Sequence, residues 1–308
     1  MDECPGCGGP GDASLPLGTA TGFAVAVGPD PFTQPPYEVR ECLRCGLLFR
    51  SPRLTDAVLE AYYRSALFED FATPGFRPVE RAIHNLLGSL PPGARVLDFG
   101  CNTGRLLAPV TGRFECYGVE PNPSAAAAAH ERGLRMTTLE ELMAGAVGTF
   151  DAVIAVDVFE HLTAPMLILA CFRRLLRPGG ALALVTGNGD APICRLGPAE
   201  FWYFRHIGHV VMLTRGFAGY LDRELGFRLA AWSEMSRYDG SRSAALLQRI
   251  RSWTYWSFKR DTPLARFGLG HVPRLRRARY WDNAPAVTDL PDHVMAVFAK
   301  SARVAVSA

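Results

Sequence analysis

The stretch RVLDFGCNTGRLL at 95–107 restricts this chain more than any other. An apolar run ends in an acid, Asp98, and Gly100 and Gly104 bracket a short loop before helix-forming residues resume. A buried strand that turns sharply in this way belongs to an open α/β sheet, which binds ligands at the carboxyl ends of its strands. A dinucleotide loop would need glycine at 100, 102 and 105. Here Asn102 and Arg105 hold the second and third places, so a pyrophosphate could not approach the backbone. Asparagine tolerates the left-handed backbone better than most residues, and the turn itself survives at Asn102. Glu120 ends the next apolar run, 20 residues after Gly100, where a carboxylate can take both hydroxyls of a ribose. An acid, a tight loop and a ribose-binding acid suit a nucleoside that carries no phosphate and bears positive charge.

The rest of the chain extends this pattern. Strand-like runs at 95–100, 115–122, 134–138, 150–158 and 181–188 alternate with helical spacing at 103–113, 124–132 and 164–176. Such alternation predicts a doubly wound α/β sheet. A helix over 215–226 and strands over 227–235 and 293–300 follow; a strand at 22–28 and helices at 54–67 and 79–90 precede. At 308 residues the chain is long for one core. The spacing suggests a module at 1–52, a helical linker or lid at 53–92 and a main domain at 93–308, interrupted by an insertion at 236–291. No run approaches the roughly 18 apolar residues of a membrane span, and the first residues lack the form of a secretory signal. These features, with unpaired cysteine usage, predict a cytoplasmic protein.

Cys4-x2-Cys7 and Cys42-x2-Cys45 are each followed by glycine. Two such turns supply four thiolates, the set that tetrahedral Zn²⁺ takes in closed structural sites.

In this order and spacing, VLDFGCNTGRLL, YGVEPN, FDAVIAVDVFEHL and LLRPGGALALVTGN resemble the successive motifs of class I S-adenosylmethionine (SAM)-dependent methyltransferases. The resemblance covers about 90–235. It implies a Rossmann-like sheet of seven strands, the last antiparallel and formed by 293–300. It further implies that Gly100, Asn102 and Gly104 back the methionine part of SAM and that Asp98 orients its amino-acid end. Glu120 would hold the ribose, Thr138 and Leu139 would flank the adenine, and Asp157 would border the same pocket. The cysteine segment, with CGLLFRSPRLTDAVLEAYY, resembles the N-terminal zinc module, ribbon-like, of some bacterial methyltransferases of sugar and polysaccharide biosynthesis. That likeness implies a small-molecule acceptor that is a sugar, nucleotide-sugar or glycan-linked metabolite.

Methyl transfer to a hydroxyl needs a group that takes its proton. His161 lies in the EHL signature, and His206 and His209 follow the strand at 181–188 with Tyr203 nearby. In a helix, His206 and His209 would share one face. Zinc at that pair would need a third nearby ligand. Asp157-x2-Glu160-His161 is similar to the divalent-metal cluster of ubiquinone-type O-methyltransferases. An RNA methyltransferase is one alternative, a non-catalytic SAM-binding scaffold another. Residues 1–80 hold 6 Arg against 11 Asp and Glu, a net −5 that disfavours nucleic acid. Residues 236–280 hold 11 Lys and Arg against 2 Asp, a net +9 interleaved with Trp and Tyr. That stretch suits an anionic acceptor, a membrane interface or a protein contact through 249–281, or a solvated cap whose aromatics pack inward.

Overall fold

Residues 3–26, 31–65, 75–145, 147–236, 239–281, 284–285 and 290–301 are described by the structure, a computed structural model. The first strands are β1 (Ser14–Ala20), β2 (Phe23–Ala26), β3 (Pro31–Gln34), β4 (Tyr37–Cys42) and β5 (Leu48–Ser51). Helices α1 (Asp56–Ser65) and α2 (Pro78–Gly88) lead into β6 (Arg95–Phe99). Then come β7 (Glu115–Val119), α3 (Pro123–Glu131), β8 (Arg135–Met136), α4 (Leu139–Ala144) and β9 (Phe150–Val156). After α5 (Pro165–Leu175) follow β10 (Leu176–Gly187), α6 (Pro192–Leu196), β11 (Val211–Met212), α7 (Arg215–Leu225) and β12 (Phe227–Met235). The last elements are α8 (Arg242–Lys259), α9 (Pro263–Phe267) and β13 (His293–Lys300).

The main sheet has seven strands in the order β12-β13-β10-β9-β6-β7-β8. β13 runs antiparallel to both neighbours, while the ladders from β10 to β8 are all parallel. The chain winds outward from β6 to β8, then crosses back to β9, so the switch point lies between β6 and β9. This is the seven-stranded class I architecture, with 293–300 as its antiparallel strand. The central strands are apolar almost throughout because both faces are covered. Leu97, Val153 and Leu182 bury one face with Phe172 of α5. Val96, Ile154 and Ala183 bury the other with Ile83 of α2.

Three expectations need correction. The segment after Gly104 is a run of turns with a 3-10 turn over Ala108–Val110 rather than a helix over 103–113. Pro109 lacks the N–H that an α-helical ladder would need there. The strand at 134–138 shortens to Arg135–Met136, because Thr138 instead caps α4 by accepting from the Glu141 amide at 3.1 Å. His206 and His209 lie in a loop, not on a helix. Residues 27–28 of the first expected strand and 66–67 of the first expected helix lie outside the described residues.

The cysteine segment builds a second sheet in the order β1-β4-β5-β11. Its fourth strand arrives from residues 211–212, directly after the histidine loop. Gly46 of the second CxxC turn, at φ 76°, abuts Gly216 of α7; a Cβ built on Gly46 would lie 3.0 Å from the Gly216 Cα. The Thr214 hydroxyl donates to the Gly46 carbonyl at 2.7 Å. The insertion forms α8 and α9. Its Trp256 packs directly on Gly197, and the Tyr255 hydroxyl donates to Glu200.

Candidate active site

The loop expected to hold the cofactor is held from below by β7. The Gly100 and Cys101 amides both donate to the Val119 carbonyl, at 2.8 and 3.0 Å. Gly100 has φ 79°, and a Cβ there would stand 2.5 Å from Val158 Cγ2, so glycine is required by both backbone and space. Asn102 takes the left-handed conformation at φ 47°, as its side chain allows. Glu120 straps this turn: its two oxygens accept the Asn102 amide at 3.0 Å and the Asn122 amide at 2.8 Å. Each oxygen keeps a further lone pair for a ligand hydroxyl.

Among the described residues, no cation is a cause of the shifts at Asp98 or Glu120. Asp98 is buried, and burial together with the Glu120 carboxylate raises its pKa to about 7. Burial raises Glu120 as well, against the two amides that lower it. The Asn102 Oδ1 is buried without a hydrogen-bond partner. Two buried carboxylates and an unsatisfied carbonyl oxygen fit a ligand that brings cationic and N–H groups, as SAM does. The Thr138 hydroxyl and amide are engaged in the Glu141 capping box, and Leu139 packs on the core as a half-buried side chain.

A second group of polar side chains is built where β9 and β10 end. Asp157 has φ 53° and anchors its amide to the Val185 carbonyl at 2.8 Å. Glu160 turns inward, where it accepts from the Tyr203 hydroxyl and from Thr186 Oγ1 at 2.8 Å. Burial, and then the Asp157 carboxylate, raise Glu160 to about 7, and Tyr203 is pushed well above its ordinary value. Among the described residues, Asp157, Glu160 and His161 do not converge as a metal-ligand set.

His161 instead meets His206 and His209. Their ligand nitrogens lie within 4.8 Å of one another, and the rings of His161 and His209 are 4.7 Å apart. His161 Nδ1 donates to the Gly208 carbonyl at 3.1 Å, and His209 Nδ1 to the Tyr203 carbonyl at 2.7 Å. A carbonyl only accepts, so both rings carry a proton on Nδ1. Burial, then the two neighbouring imidazoles, hold His209 well below its ordinary pKa and therefore neutral.

Two contributors escape sequence reading. Arg50 of β5 is fully buried and clamps the histidine loop: its guanidinium donates to the carbonyls of Phe204, His206 (2.9 Å) and Ile207 (3.1 Å). Asp292 and His293 open β13 beside Gly187, with a 2.9 Å contact between them and His293 Nε2 3.7 Å from Asp157. Only the polar start of the run DHVMAVFAK hinted at this pair.

The four cysteines also converge. Cys4 and Cys45 sulfurs are 3.5 Å apart, as are those of Cys7 and Cys42, and all four lie within 4.8 Å. Thiolates on one tetrahedral zinc lie roughly 3.8 Å apart, so the set fits that ion.

Residues 71–232 match the family described as Methyltransferase domain. Ubiquinone biosynthesis O-methyltransferases from Xanthomonas oryzae and Xanthomonas campestris are 33% and 31% identical over 150 residues. Each alignment covers 46% of this chain, and the chain spans about 60% of the length of those relatives. A SAM-dependent methyltransferase of solved structure from Archaeoglobus fulgidus is similar with a TM-score of 0.45 and 14% identity, covering 72% of this chain and 93% of that one.

Proposed function

This chain belongs to the methyltransferase-domain family; from that premise we propose that it is a SAM-dependent methyltransferase and that it methylates an oxygen of a small, sugar-like acceptor. One observation carries this reading: an acid-lined glycine loop and a cluster of three imidazoles share the carboxyl edge of one sheet. SAM supplies a methyl group on a cationic sulfonium. Asp98 holds the ligand's amino-acid end, Asn102 accepts from it, and Glu120 takes the ribose hydroxyls. Gly100 and Gly104 keep the loop close to α3 and Val158, while Thr138, Leu139 and Asp157 border the pocket. His161, His206 and His209 meet the acceptor hydroxyl and favour its ionised form, with His206 on the solvent side. Glu160, Tyr203 and Thr186 form the hydrogen-bonded wall behind them. Cys4, Cys7, Cys42 and Cys45 hold a structural zinc, and through β5 that module carries Arg50 to the histidine loop.

The zinc module's likeness to those of sugar-modifying enzymes supports the sugar, and the O-methyltransferase relatives support the oxygen. Those relatives also favour a second acceptor class, a phenolic oxygen. The test supplies methyl-labelled SAM with nucleotide-sugars, free glycans and catechols, and follows the label. Label in a sugar methyl ether is expected. Label in catechols alone would replace the sugar by the phenol, and label confined to RNA or protein would sink both.

The insertion is proposed as a contact with anionic lipid surfaces. Leu246, Ile250 and Trp253 share one outward face of α8, exposed at 58%, 42% and 47%, and the surrounding segment is strongly basic. No helix among the described residues is long and apolar enough to cross a membrane.

A further inference from the structure

The three histidines pack ring against ring, with His209 and His206 4.3 Å apart. They come from two places 45 residues apart, one after β9 and one in the loop before β11. Their burial is graded: His209 is 5% exposed, His161 half-buried, and His206 exposed. An ion among them would have protein on one side and solvent on the other.

From this geometry we propose that His161, His206 and His209 bind a divalent zinc-class ion through their imidazoles and leave one coordination position open to an acceptor oxygen or water. The proposal rests on the methyltransferase reading above for its role, though not for its chemistry. Three imidazoles with an open fourth position are a recognised arrangement for catalytic zinc. Nitrogens on such an ion lie roughly 3.3 Å apart, and these lie within 4.8 Å of one another. Two of the three are already oriented as ligands. The Gly208 and Tyr203 carbonyls fix Nδ1–H of His161 and His209, and this outer partner is what metal-bound histidines ordinarily have.

His206 is the adjustable member. Its Nδ1 takes the Gly208 amide at 3.3 Å, and its Nε2 stands 3.5 Å from the Tyr62 hydroxyl. Both contacts are long for hydrogen bonds, so a metal can displace either. Arg50 holds the His206 carbonyl at 2.9 Å, which keeps the backbone in place while the ring turns. The two clusters also differ in donor type. Imidazole sets take zinc, cobalt, nickel or copper, whereas the four thiolates form a closed zinc site. An ion at the histidines lowers the pKa of an oxygen bound at the open position, and the released proton passes to solvent at the exposed edge.

The full-length protein, stripped of metal and refilled with Co²⁺ in steps, tests this. Two equivalents per chain are expected, one with the intense thiolate-to-cobalt absorption and one with ligand-field bands alone. His206→Ala, at an exposed position, should keep the first equivalent and the melting temperature while weakening the second by about a hundredfold or more. A single equivalent with purely thiolate absorption in the unsubstituted protein overturns the proposal, as does a second equivalent that His206→Ala leaves intact. These readouts are independent of turnover. If no second ion binds and His206→Ala still abolishes methylation, the metal falls and the methyltransferase reading stands. If the ion binds but no oxygen acceptor is methylated, the acceptor reading falls instead.

Discussion

The cysteine cluster and the histidine cluster are assembled in opposite ways. Each cysteine pair comes from one tight turn, and the two turns meet inside a small sheet that packs on Phe217 of α7. The four sulfurs face one another, leaving no side open. The histidines come from the ends of separate strands, face a solvent edge, and close only three sides. A set of four soft donors in a shell suits a structural role, while three imidazoles at an open edge suit chemistry. Arg50 joins the two, because it leaves the cysteine module's sheet and ends on the histidine loop.

The largest effect should come from opening the closed cluster. Cys42→Ser is expected to remove the zinc and unfold 3–51, since structural zinc contributes about 10–16 kcal/mol in isolated fingers, as much as a whole domain's stability. Limited proteolysis should then cut in that segment; a variant as resistant as the parent would show that the thiolates hold nothing. Arg50→Met separates the clusters. It leaves the Phe204, His206 and Ile207 carbonyls without their donor, at a cost of about 1–3 kcal/mol for each buried acceptor left unsatisfied. Urea titration should show that loss, and methyl transfer should drop with it while the zinc remains. Undiminished turnover would mean that the module and the loop work independently.

A third test leaves both clusters alone. Folding raises Asp98 from the ordinary carboxyl range to about 7, so the folded protein binds an extra proton between about pH 4 and 7. Its contribution therefore destabilises the unliganded protein as pH rises through that window and levels off above 7. A cationic ligand prefers the ionised form, so calorimetry should show SAM binding tighten about tenfold or more from pH 5 to 7. Asp98→Asn should bind weakly with a flat profile; a slope that survives would assign the proton elsewhere. The smallest effect is expected at the insertion. Trp253→Glu should reduce sedimentation with anionic vesicles severalfold, with methyl transfer to a soluble acceptor unchanged. Equal binding to neutral vesicles would remove the electrostatic half of that reading.

What could be read from the sequence follows from how local each feature is. The cysteine turns, the Asp98–Gly104 loop, Glu120 and nearly every strand of the main sheet declare themselves within a few residues. The helix expected at 103–113 failed for a reason also local, since Pro109 interrupts an otherwise helical composition. The histidine trio was half visible: His206 and His209 stood out, but their third partner depended on how the chain crosses from β9 to β11. Arg50 looked like one basic residue among many, and its buried role exists only once β5 and β11 are paired. The Asp292–His293 pair likewise acquires its setting from the antiparallel insertion of β13 between β10 and β12.

The pairing of β5 with β11 also sets an order of assembly. The cysteines at 4–45 are made before residue 212, and the edge of their sheet stays bare until that residue has been added. An exposed strand edge of that kind invites wrong partners during synthesis. The short run Val211–Met212 closes that edge and fixes the histidine loop in the same step, so the nascent chain cannot finish protecting its first module without also assembling the histidine edge.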